Sequence, residues 1–158
     1  MTTMTNLAAD QQPTVTMSRL YDAPRTQIWE AITEPRHVKQ WWGGPGFSNP
    51  VCEMDVRPGG LWTHTMRFPD GREMHMKFVF VEVDPPKRLV WKHIDDDKMG
   101  EGVAVKMAVT LEESGTRTRW TMVAQFRSLA ERDIAVGMGF TGPIEGSNNR
   151  LTDYLKTM

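Results

Sequence analysis

The hairpin around Phe68-Pro69-Asp70-Gly71-Arg72 constrains the fold of this chain more than any other segment. A three-residue loop with Gly71 in the left-handed position sets Met66 opposite Met74, His64 opposite Met76 and Trp62 opposite Phe78. One face of the ribbon is then methionine, histidine and aromatic. The other carries Thr63, Thr65, Arg67, His75 and Lys77. A slip by a single residue would mix the two sets, so the pattern specifies the register as well as the strands. The chain must build a sheet that hides one face and wets the other.

The same alternation recurs on both sides of this hairpin. Odd positions from Val103 to Leu111 are apolar, and Thr118, Trp120, Met122, Ala124 and Phe126 follow after a turn placed at Ser114-Gly115. That turn pairs Val109 with Trp120 and Met107 with Met122. Asp84-Pro85-Pro86-Lys87 stops one strand, because proline cannot donate to the ladder. The next strand sets Leu89, Trp91 and His93 beside Glu82, Phe80 and Phe78. Cys52, Met54 and Val56 alternate upstream. Thr14–Tyr21 forms the first strand, with Val15 and Met17 inward. About seven strands joined by short hairpins make an antiparallel sheet.

The helical segments flank the strands. Residues 23–42 carry two short helices, the second ending in Trp41-Trp42 before Gly43-Gly44. Adjacent indoles carry a large apolar area and must finish a core or line a site. At the C-terminus, Ser128 and Glu131 match a capping box. Gly142-Pro143 predicts a break or a fresh helix start. Ile144, Asn148, Leu151 and Leu155 then form a buried stripe. The reading is an α+β fold: residues 1–13 a polar disordered tail, residues 14–158 one domain, and Asp95–Gly100 a solvated loop.

Several marks together resemble the activator of Hsp90 ATPase homologue-like family of the START-like (SRPBCC, helix-grip) superfamily. They are the Ala23-Pro24 to Trp29 spacing, Glu34–Trp42, Asp55–Gly60, the Pro69–Gly71 turn, Val81–Trp91 and Asn149–Leu155. The resemblance covers roughly residues 14–157. It implies a curved sheet wrapped around a long C-terminal helix, with two short helices after the first strand. It also implies a hydrophobic, lipid-binding-like cavity between sheet and helix, and a stress-response setting.

The inward set is Trp62, His64, Met66, Met74, Met76, Phe78, Phe80, Trp91, His93, Met107, Trp120 and Met122, with Trp41 at the mouth. Ile144 and Asn148 face it from the helix. An apolar face with few polar groups is the pattern of a small-molecule site. The expected function is binding of a small apolar or aromatic molecule, with His64, His93, Asn148 and Glu145 as the groups that orient it. Twelve methionines suit a wall that adapts to shape. Two alternatives stay open: a cyclase- or hydrolase-like enzyme using His64 or His93, and a protein–protein, co-chaperone-like module. The outer strips Val79, Val81, Val83 and Arg117, Arg119, Val123 could serve a homodimer.

Other chemistries find little footing. His64 and His93 sit on strands separated by a third, their backbones roughly 10 Å apart, too far for shared zinc ligation. Cys52 reads as an inert core thiol. No serine lies in a nucleophile elbow, and no glycine run forms a phosphate loop. No metal and no cofactor is expected. A net charge of −1 gives no basis for nucleic acid as a partner. No window is apolar enough for a membrane span, and the N-terminus has no secretory pattern, so the expectation is cytoplasmic. His37 and His75 are expected at the surface.

Overall fold

A computed structural model describes residues 12–94 and 102–158. The expected tail lies outside the described residues as far as residue 11, and so does the Asp95–Gly100 loop. Chain order is β1 (Thr14–Tyr21), α1 (Arg25–Thr33), α2 (Pro35–Trp41), β2 (Ser48–Met54), β3 (Leu61–Arg67) and β4 (Glu73–Asp84). It continues with β5 (Arg88–His93), β6 (Lys106–Ser114), β7 (Arg117–Gln125), α3 (Leu129–Gly137) and α4 (Thr141–Leu155). The strands form one antiparallel sheet in the order β1-β7-β6-β5-β4-β3-β2. β1 and β2 therefore occupy opposite edges, and α1 and α2 carry the chain across. This is the helix-grip arrangement, α+β, with α4 against the sheet.

The β3–β4 register agrees with the alternation: Met66 pairs with Met74, His64 with Met76 and Trp62 with Phe78. Gly71, at φ +93°, holds the left-handed loop position. The β6–β7 hairpin departs from expectation by two residues. Val109 pairs with Met122 and Leu111 with Trp120, because the two-residue loop is Gly115-Thr116. Gly115 has φ +66°, and a glycine in the first of two loop positions suits a primed turn. Ser114 thus stays paired. A shift of two leaves every side chain on its predicted face.

The β4–β5 pair shows a different kind of departure. Phe78 opposes His93 and Phe80 opposes Trp91, as read from the sequence. A bulge between Phe80 and Glu82 then sets Leu89 opposite Val83, not Glu82. The extra residue flips the alternation, so Val83 packs against the core while Val81 stays exposed. The outer strip of three valines is therefore broken.

Two further helix ends follow local rules. Ser128 Oγ accepts from the Glu131 amide at 3.1 Å, which is half of a capping box. The Glu131 carboxylate turns away and accepts from the Gly102 amide at 2.9 Å. α4 begins at Thr141, so Pro143 falls in its first turn, where its missing N–H deprives no partner.

Candidate functional site

Helix α4 presents three faces. Asn148, Leu151 and Leu155 are buried in the core, with Ile144 half-buried at the same edge. Glu145, Asn149 and Thr152 meet Arg19 of β1, whose guanidinium donates to them at 3.0, 2.9 and 3.4 Å. Gly146, Ser147 and Arg150 meet the segment 42–47 that links α2 to β2. Glu145 thus serves an ion pair at the β1 edge.

The concave face of the sheet divides into two parts. Trp62 stacks on Phe80 at 5.9 Å between ring centres and meets Trp91 edge-on at 5.3 Å and Phe78 at 4.8 Å. These rings, with Leu89, Val109, Trp120 and Met122, are buried. Burying each such side chain contributes about 1.5–3 kcal/mol. Further along the same strands, Met66, Met76, His93 and Met107 are only half-buried. Met74, directly opposite Met66, is exposed. The aromatic block is filled by itself, and the methionine rim is left partly open.

His64 sits between these parts with no exposed surface. The Trp62 indole donates to His64 Nδ1 at 3.2 Å, and His64 Nε2 lies 2.8 Å from Asn49 Oδ1. An indole N–H can only donate, so Nδ1 must be the bare nitrogen and Nε2 carries the proton. Asn49 in turn donates to the carbonyls of Lys39 and Trp42, both at 3.0 Å. Burial lowers the imidazole from 6.5 to about 4, so it is neutral at pH 7. Both ring nitrogens are committed to tying β3 to the start of β2 and the end of α2. His93 lies at the end of β5, two strands away, with its ring 4.6 Å from Phe78.

Of the tryptophan pair, Trp42 is the one against this region. Its ring lies 5.2 Å from Trp62 and 5.1 Å from His64. Trp41 is buried and donates to the Ala31 carbonyl at 3.0 Å, closing α1 onto α2. Cys52 is buried beside His64 in the β2–β3 ladder, and burial pushes its thiol up to about 11. Its burial agrees with the core position expected from the sequence.

One histidine defies expectation. His37 is buried, not at the surface. Its Nδ1 lies 2.6 Å from the Tyr154 hydroxyl and its Nε2 3.1 Å from Glu30 Oε2. These bonds join α1, α2 and α4, and satisfied polar partners let an imidazole enter a helix interface. Glu30, Glu34 and His37 bring ligand atoms within 4.8 Å of one another. Arg36 already pairs with Glu34 at 2.9 Å and His37 bonds Glu30, so these atoms are engaged with one another. His75 is exposed, as expected, and bonds Thr65 at 3.0 Å.

A separate cleft of about 110 Å³ lies at the β1 corner, lined by Tyr21, Gln27, Thr152, Leu155 and Lys156. The Tyr21 hydroxyl is buried without a hydrogen-bond partner. Arg19 lies beside the ring, with its two terminal nitrogens bonded to α4. Burial raises the phenol well above its usual range. Sequence reasoning put Trp41 where Trp42 stands, and it missed Arg19, Tyr154 and Arg150. For Arg150 a signal existed: it follows the small pair Gly146-Ser147 at helical spacing, which marks a face of close approach.

Comparison with known proteins follows the same lines. The family model described as activator of Hsp90 ATPase homolog 1-like protein matches residues 22–156. None of the curated proteins matches. Among solved structures, a protein from Nitrosomonas europaea is 26% identical with a TM-score of 0.81, covering 91% of this chain and 94% of its own. A protein from Mycobacterium smegmatis is 27% identical with a TM-score of 0.80, covering 92% of each chain. A protein from Arthrobacter aurescens, 21% identical over 94% of this chain and 89% of its own, has a TM-score of 0.82 and shows the fold alone. Among the described residues no helix is long and apolar enough to cross a membrane.

Proposed function

Because the chain belongs to the activator of Hsp90 ATPase homolog 1-like family, whose fold is a ligand-binding fold, we propose that it binds a small apolar or aromatic molecule between sheet and α4. The site is the methionine rim: Met66, Met76, His93 and Met107 from the sheet and Ile144 from α4, over Phe78 and Trp91 as a floor. The observation that carries this reading is the half-burial of these large side chains beside a fully packed aromatic block. Methionine adapts its shape and is polarizable, which suits aromatic guests. His93, at the edge, is the polar group placed to orient one end of the guest.

A neutral fluorescent probe such as N-phenyl-1-naphthylamine tests the reading. The wild type should bind one equivalent. Met107→Lys should weaken that binding at least tenfold, because a lysine head would be desolvated by the guest. Its melting temperature should move little, since Met107 is only half-buried. Equal affinity in wild type and variant would place the site elsewhere.

A further inference from the structure

Segment 42–47 leaves α2 and lies along one border of the proposed site. Gly43 rests on Met66: a Cβ there would stand 3.2 Å from the Met66 sulfur. Phe47 packs on Phe68 at 4.9 Å, and Trp42 covers Trp62 and His64. On its other side the segment is held by α4. Arg150 Nη1 lies 3.2 Å from the Trp42 carbonyl, 3.3 Å from that of Gly43, 3.0 Å from that of Gly44 and 3.3 Å from that of Phe47. Its Nη2 donates to the Gln40 carbonyl at 2.7 Å. Ser147 Oγ accepts from the Gly43 amide at 2.8 Å.

Five backbone carbonyls therefore converge on one guanidinium. Among the described residues no carboxylate lies within ion-pair distance of Arg150. Carbonyl dipoles take the place of a carboxylate around this half-buried charge, and they reach it only while the segment stays curled around it. A planar fork can serve carbonyls in two directions at once, and a lysine ammonium cannot match it. Helix and segment also touch backbone to backbone. A Cβ on Gly146 would stand 3.1 Å from Gly44 Cα, tighter than ordinary contact.

We infer that Arg150 is a positioning residue that latches segment 42–47, and Trp42 with it, over the border of the binding site between β3 and α4. The role as a border rests on the function proposed above. The latch itself does not.

Hydrogen exchange followed by mass spectrometry tests the latch on the full chain. Arg150→Ala should speed exchange of the amides of 42–47 at least tenfold over the rest of the molecule. Arg150→Lys should fall between it and the wild type. Gly146→Ala supplies a check that a mere loss of fold could not mimic. Alanine favours the helix, yet its methyl must push the segment away. Exchange should rise in 42–47 while the melting temperature holds. Unchanged exchange in Arg150→Ala, or a rise spread evenly over the chain, would overturn the latch. Association of the naphthylamine probe should quicken at least fivefold in Arg150→Ala and Gly146→Ala. An unchanged rate would overturn its role in access. If neither wild type nor variants bind the probe, the proposed function fails, and the latch still stands or falls by exchange.

Discussion

The aromatic block and the methionine rim are built on the same strands and read alike in the sequence, yet one is closed and the other is not. Trp62, Phe80 and Trp91 are rigid plates that stack on one another and exclude everything else. Met66, Met76 and Met107 are flexible rods that stay half-buried, as does Ile144 of α4. His64, beside the block, has both nitrogens bonded. An apolar face is thus not one property: side-chain shape decides whether it packs into a closed core or stays half exposed.

The largest expected effect breaks or upholds this contrast directly. Trp62→Ala should cost about 3–5 kcal/mol of stability, the range for removing a buried large aromatic side chain. Met76→Ala should cost about 1 kcal/mol or less. Urea unfolding measures both. Comparable losses would mean that the rim is as tightly packed as the block.

The His64 lock gives the second effect. Its folded value near 4 lies below the ordinary 6.5, so the unfolded chain takes up a proton that the folded chain refuses. Stability is therefore complete above pH 6.5 and falls as the pH drops toward 4. The gap is worth roughly 3 kcal/mol. Unfolding at pH 7 and pH 4.5 should show this loss in the wild type and a loss smaller by about that amount in His64→Gln. Parallel losses would place the pH dependence elsewhere.

Tyr21 sharpens the contrast at the smallest scale. Its hydroxyl is buried and has no partner, unlike His64. Tyr21→Phe removes the unsatisfied group and should gain about 1 kcal/mol. A loss of stability would show that the hydroxyl is bonded after all.

Strand positions, faces and the central hairpin were legible because period-2 alternation and Gly71 act locally. The bulge after Phe80 was not, since one extra residue in a valine-rich run leaves no mark on composition. His37 looked like a surface residue on a short polar helix. Its burial depends on Tyr154, more than a hundred residues away. The same distance hid Arg150 and Arg19, whose partners are backbone carbonyls or a facing helix. The inward face of the sheet was readable from alternation, except that Met74 is exposed and that Trp42, not Trp41, lies against Trp62 and His64. Its division into closed and open parts was not, because that depends on how side chains from several strands fill one volume.

The most direct test of the methionine rim is methyl NMR of the methionines during titration with N-phenyl-1-naphthylamine. The methyl signals of Met66, Met76 and Met107 should shift together and saturate at one equivalent. Those of Met17 and Met122, buried deeper on the same face, should hold still. A response confined to Met138, which is 77% exposed, or no response at all, would contradict the account.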